Sequence, residues 1–186
     1  MQRHELEHLI RAAGAITDEY EFVVVGSQSV LGSVDRPPAD CLLSTEADLY
    51  PLNAEDKADL IDFNIGEGSP FHDTHGYYAQ GVDSRTAVLP SGWRTRLVRL
   101  QTESTGGRVA YCLDVLDLFL SKCVANREKD RVFNRTLLAH GLVREAEALA
   151  RLHELPISEV VRADIAMLIR RLARDSSAEA PSTPPG

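Results

Sequence analysis

No stretch of this chain approaches the ~20 consecutive apolar residues that a membrane-spanning helix needs, so no membrane span is expected. The opening residues, Met1 to Leu9, carry acids and lack the apolar core of a secretory signal. Cysteine is scarce. Cys41, Cys112 and Cys123 are odd in number and form no C-x-x-C pair, which points away from a disulfide framework and towards reduced, partly buried thiols in a cytoplasmic protein. Positive charge is also short, with 20 Lys and Arg against 28 Asp and Glu and a net charge of −8. That balance argues against a surface that coats nucleic acid broadly, but it leaves room for a local basic groove beside an acidic, metal-filled pocket.

What is present suits one domain, or one domain with a small appendage, because 186 residues at 44% hydrophobic can close a core. The chain is organised around residues Phe22 to Asp48. The β-branched run Phe22 to Val25 reads as a buried strand. Gly26 and Ser27 stop it, and Gln28 to Leu31 read as the start of a short helix, which would turn backbone N–H groups towards a phosphate. Cys41 to Leu49 reads as a second strand, in which Glu46 and Asp48 leave the same face. Two acids side by side repel each other, and a divalent cation held by hard oxygen ligands, Mg²⁺ or Mn²⁺, removes the conflict. Each half alone has a plainer reading: a tight turn after a strand, and the wet face of an amphipathic strand.

Around this centre the pattern alternates. Gln2 to Ile16 reads as a helix with an apolar stripe of Leu6, Leu9, Ile10 and Ala13, and His4 and His8 fit its solvated face. Ala54 to Asn64 reads as a second helix. His72 and His75 are taken as loop residues, since no other Cys or His pair is placed to complete a zinc site. Short strands are expected in YYAQGV, TAVL, RLVRL and RVAYCL, between Gly76 and Leu113, with Asp83 as a third acid joining Glu46 and Asp48. Arg94, Arg96 and Arg99 fit either a solvated strand face or a wall that meets polyphosphate or RNA. From Asp114, an N-cap candidate, the chain reads as helical. A turn is expected at Ala125 to Glu128, where Asn126 tolerates a helix end. Gly141 suits a C-cap, further helices are expected at Leu142 to Leu152 and Ile157 to Ala173, and Asp175 to Gly186 reads as a disordered polar tail.

Three separated motifs, GSQSVLGS, STEADLYP and LDLFLSKCVANREKD, resemble the nucleotidyltransferase superfamily. They are more narrowly similar to its small bacterial AbiEii/MenT-like branch. The resemblance covers roughly residues 20–142 and maps its Gly-Ser onto Gly26 and Ser27, its acid-x-Asp onto Glu46 and Asp48, and its basic helix onto Lys122, Arg127, Lys129 and Asp130. The first acid is Glu where Asp is frequent, and a Pro-Pro loop lengthens the gap before it.

The resemblance implies an α/β (α+β) fold, with a short mixed sheet, flanking helices and a helical C-terminal subdomain. It divides the chain into a core over residues 1–113, helices over 114–173 and a tail over 174–186. It implies transfer of a nucleoside monophosphate from a nucleoside triphosphate to an acceptor hydroxyl. Glu46 and Asp48, with Asp83, would hold Mg²⁺ or Mn²⁺. Gly26, Ser27, Lys122, Arg127 and Lys129 would bind the nucleotide, and Asp130 would orient it or hold Lys122 or Arg127. Transfer RNA as acceptor and an antitoxin protein as partner follow from the toxin relatives. A small molecule or a protein hydroxyl is the other acceptor reading, and a degenerate member that binds nucleotide or a partner without catalysis is the alternative function.

Overall fold

The computed structural model describes residues 1–179, in two compact units. Unit 1 comprises Met1–Ala87 and Gly92–Leu118, and unit 2 comprises Val88–Ser91 and the chain from Phe119 onward.

Unit 1 runs α1 (Arg3–Thr17), β1 (Glu21–Val25), a 3₁₀ turn (Ser27–Ser29), α2 (Val30–Ser33), β2 (Glu46–Pro51), α3 (Ala58–Ile65), α4 (Pro70–His75), β3 (Tyr78–Gly81), β4 (Val98–Leu100) and β5 (Val109–Cys112). The five strands form one mixed sheet in the order β3-β2-β1-β5-β4. β1 is antiparallel to β2 and parallel to β5, β2 is parallel to β3, and β4 is antiparallel to β5. This is the expected α+β class, a short mixed sheet flanked by helices.

The register sorts the side chains into two faces, because partners across a ladder share a face and neighbours along a strand alternate. One face carries Phe22, Val24, Ala47, Leu49, Ala79, Ala110 and Cys112, all fully buried. Gly32 and Gly81 set how closely helices approach it. A Cβ on Gly81 would stand 2.0 Å from the Ala58 carbonyl oxygen at the start of α3, and one on Gly32 2.3 Å from the Cys112 Sγ. Leu6, Leu9, Ile10 and Ala13 of α1 and Ile61 of α3 are fully buried. Each large apolar side chain removed from water in this way contributes about 1.5–3 kcal/mol. The opposite face carries Glu46, Asp48 and Tyr50 on β2, Tyr78 and Gln80 on β3, Val23 and Val25 on β1, Tyr111 on β5 and Arg99 on β4.

α5 (Val115–Ala125) crosses the boundary between the units, which falls after Leu118. Asp114 caps it through Oδ1, which accepts from the amides of Leu116 (3.1 Å) and Asp117 (3.4 Å). Unit 2 continues with α6 (Glu128–Ala139), α7 (Glu145–Arg151) and α8 (Glu159–Glu179). α8 packs on both α6 and α7, and Phe119, Phe133, Leu137, Leu152 and Ile169 of this unit are buried. The chain turns between α5 and α6 at Asn126, whose φ of 52° is left-handed. Gly141, at φ 66°, closes α6, and the Leu142 amide reaches back to the Leu137 carbonyl (2.9 Å). Arg162 ties the loop before α8 by donating to the carbonyls of Leu152 (2.7 Å) and Ile157 (3.2 Å).

Several expectations shift. Residues Ala39–Leu42 form a 3₁₀ turn, so β2 starts later than Cys41. The Thr86–Leu89 segment is not a strand. His72 and His75 lie on a short helix, started by the Ser69 side chain, which accepts from the His72 amide, and by Pro70 in the first turn. α8 carries Asp175 to Glu179 as helix, and the remainder of the expected disordered tail, residues 180–186, lies outside the described residues.

Candidate functional site

The site begins where β1 ends. Val25 pairs with Asp48 across the antiparallel ladder, so the turn that follows β1 lands beside the Asp48 side chain. Gly26 makes that turn at φ 67° and ψ −167°, a conformation that only glycine occupies at little cost. A Cβ at Gly26 would lie 2.0 Å from Asp48 Oδ2 and 3.0 Å from its Cγ. The Asp48 carboxylate therefore sits directly against the Gly26 backbone, which brings the Gly-Ser turn and the acid pair to one point. The expected helix start is a 3₁₀ turn leading into a four-residue helix. That is too short for a substantial macrodipole, so any attraction for an anion rests on the individual N–H groups of the turn.

Glu46 and Asp48 are half-buried on β2, while Ala47 and Leu49 between and beyond them are fully buried on the opposite face. Upstream, the Ser44 hydroxyl accepts from the Glu46 amide (3.1 Å). Gln28 of the turn donates to the Ser44 carbonyl (3.3 Å), which ties the two motifs together a second time. Tyr50 continues the acid row into the interior. Its hydroxyl has no hydrogen-bond partner among the described residues. Burial, with the charges of Glu55 and Asp83, pushes its pKa up to about 12 against the opposing pull of Arg94, so it stays a neutral phenol.

β3 supplies the next column. Its register puts Tyr78 beside Glu46 and Gln80 beside Asp48. The pKa of the Tyr78 phenol is raised by burial and by the charges of Glu46, Glu67 and Asp48. A pocket of about 220 Å³ lies here, lined by Asp62, Glu67, Tyr78 and Gln80. Asp83, the expected third acid, stands two residues beyond the end of β3, and its Oδ2 accepts from Arg85 Nη2 (2.7 Å). Sequence reasoning missed Tyr78, Gln80 and Glu67, because only the β2–β3 register and the loop before α4 bring them to the acids.

Among the described residues no group of three or more His, Cys, Asp or Glu side chains is placed to hold a metal ion. The donor set at the site is the pair Glu46 and Asp48. This fits Mg²⁺, which commonly takes one or two protein carboxylates and completes its shell with substrate phosphates and water.

The model of the family described as "Nucleotidyltransferase of unknown function (DUF6036)" matches residues 4–146. The chain belongs to this family. No curated protein matches it, and no solved structure does. The matched residues of this nucleotidyltransferase family member include the Gly-Ser turn, the acid pair, β3 and the whole α5–α6 corner.

That corner, within unit 2, holds the basic motif. Lys122 is 6% exposed, and its Nζ donates to Asp130 Oδ1 (2.8 Å) and stands 4.4 Å from the Phe133 ring centroid. Arg127, at the N-cap of α6, donates from Nε to the other Asp130 oxygen (2.7 Å). Asp130 is fully buried and gathers both cations. Burial raises its pKa, but the hydrogen bonds and charges of Arg127 and Lys122 outweigh this and hold it below the ordinary carboxylate value. Lys129, between them, is exposed.

The three arginines of the expected basic wall have separate partners. Arg96 makes a two-point bond to the buried Asp117 (2.9 and 3.2 Å), Arg99 bonds to Gln101, and Arg94 lies over the Trp93 ring at 5.2 Å. Away from the acids, His8 leaves the solvated face expected for it. Its Nδ1 is 2.7 Å from the Tyr77 hydroxyl, and its ring packs with Phe71 and His75. Among the described residues no helix is long and apolar enough to cross a membrane.

Proposed function

We propose that this chain transfers a nucleoside monophosphate from a nucleoside triphosphate to an acceptor hydroxyl, with Glu46 and Asp48 holding Mg²⁺ or Mn²⁺ beside the Gly26–Ser27 turn. The observation that carries this reading is the seating of the Asp48 carboxylate against Gly26, where no side chain fits. A cation ligand and a backbone turn open to phosphate then address the same spot. Gly26 keeps the turn free of a side chain, Ser27 offers a hydroxyl to the triphosphate, and the acid pair fixes where the phosphates lie. A divalent ion held there would neutralise charge on the phosphates; the acceptor hydroxyl oxygen would form the new bond to the α-phosphorus as the bond to pyrophosphate breaks, with the hydroxyl proton released to solvent.

The acceptor is proposed from local charge. The pocket beside the acids is lined by two further carboxylates and no base, so it suits a hydroxyl-bearing group better than a run of phosphates. Transfer RNA, implied by the likeness to the toxin branch, would then present a terminal hydroxyl there, and an antitoxin partner belongs to that same proposal. The buried Lys122–Asp130–Arg127 cluster is assigned to fixing the α5–α6 corner of unit 2, since Asp130 already engages both cations.

One observation favours a second reading, nucleotide binding without transfer: the acid pair lacks a third clustered ligand among the described residues. Incubation with α-labelled triphosphates and separate pools of transfer RNA, amino-sugar antibiotics and protein separates the two. Label is expected in one pool from the α position, lost in Asp48→Ala. Binding without label in any pool would establish the second reading.

A further inference from the structure

We propose that Tyr78 is a positioning residue for Glu46: its phenol donates a hydrogen bond to one Glu46 carboxylate oxygen and so presents the other to the divalent cation. The inference rests on the metal reading of the acid pair and extends it to the residue that orders the more flexible of the two ligands. Glutamate has one more rotatable bond than aspartate, so of the two acids Glu46 has more freedom to lose on binding a metal. Asp48 is confined by the Gly26 backbone. The neighbour that β3 gives Glu46 is Tyr78, on the same face and directly across the parallel ladder. The two side chains are close enough for the Glu46 charge to raise the Tyr78 pKa, second only to burial.

Tyr78 is itself held from two sides. Its amide donates to the Thr45 carbonyl (3.0 Å), immediately before Glu46. Its ring lies against His72, with centroids 4.7 Å apart, and the His72 Nδ1 accepts from the Gly68 amide (3.0 Å). The phenol is thus fixed by β2 and by the start of α4 before any metal arrives, which is how outer hydrogen-bond partners orient metal ligands.

Titration of the full chain with Mn²⁺, read by the loss of the free-ion paramagnetic resonance signal, tests this. Tyr78→Phe keeps the ring and its contact with His72, and is expected to weaken Mn²⁺ binding by about 10–100-fold, the usual consequence of removing an outer hydrogen bond to a ligand. Its thermal unfolding should match that of the unaltered chain, which a merely structural role for the hydroxyl would not allow. In a Glu46→Asp background, where the shorter arm no longer reaches the phenol, Tyr78→Phe should add no further loss. Mn²⁺ affinity unchanged in Tyr78→Phe, while Glu46→Ala abolishes it, would overturn the role of Tyr78 and leave the metal site standing. Absence of Mn²⁺ binding by the unaltered chain, with and without a triphosphate, would overturn both.

Discussion

Gly26→Ala is expected to cost about 1–3 kcal/mol of stability from backbone strain alone, and to abolish metal-dependent nucleotide binding. Gly26 sits at φ 67° and ψ −167°, where an L side chain is strained whatever space surrounds it. Here there is also no space, because the new methyl would meet Asp48 Oδ2 at 2.0 Å. Either the turn moves or the carboxylate does, and each separates the two halves of the site. Removing the obstructing carboxylate should recover part of the loss. The double variant Gly26→Ala/Asp48→Ala is therefore expected to unfold at a higher urea concentration than Gly26→Ala alone, while still binding no nucleotide. Adjacent residues sharing one contact are where such non-additivity appears. A Gly26→Ala variant with unchanged urea midpoint and unchanged nucleotide affinity would show that the close approach has no functional weight.

The second large effect belongs to unit 2. Asp130→Asn is expected to destabilise the chain by about 3–5 kcal/mol, because it leaves Lys122 buried without its counter-charge. Lys122→Met should cost less, since Asp130 keeps Arg127, although that partner is 60% exposed and contributes little by itself. The pH dependence has a defined sign. Asp130 has its native pKa lowered, burial being overcome by the bonds from Arg127 and Lys122. Its contribution is therefore complete above the ordinary aspartate value of about 3.9 and is lost as pH falls through the lower native one. The urea midpoints of the unaltered chain and of Asp130→Asn should differ fully at pH 7 and at pH 5, and converge as pH falls below about 4. Equal midpoints at pH 7 would mean that the cluster is not structural.

Much of this was legible in the sequence wherever the physics is local. The run Phe22 to Val25 declares a buried strand, and the two-residue spacing of Glu46 and Asp48 declares a shared face, as the ladder with β3 bears out. Asp114 and Gly141 carry their capping roles in their chemistry, and Asn126 marked the corner between α5 and α6 because it accepts a left-handed backbone. Non-local features were hidden. Nothing in YYAQGV states that Tyr78 lies beside Glu46 and Gln80 beside Asp48, since a parallel register depends on the crossover through α3 and α4. Asp83, expected as the third acid, stands two residues past the end of β3 beside Arg85. The helix at Pro70–His75 had its start signal in Ser69 and Pro70, but six residues are too few to show a helical period. The contact between Gly26 and the Asp48 side chain is likewise tertiary and is not visible in the Gly-Ser turn itself.

The central claim is that Glu46 and Asp48 form a cation site serving a nucleotide. Titration calorimetry of the unaltered chain with each of the four nucleoside triphosphates, with and without Mg²⁺, tests it most directly. At least one triphosphate is expected to bind only when Mg²⁺ is present, and Asp48→Ala or Glu46→Ala should lose that binding while unfolding at the same or a slightly higher temperature, because two repelling acids become one. Binding of no triphosphate in Mg²⁺, or binding that is indifferent both to Mg²⁺ and to loss of either carboxylate, would contradict the account.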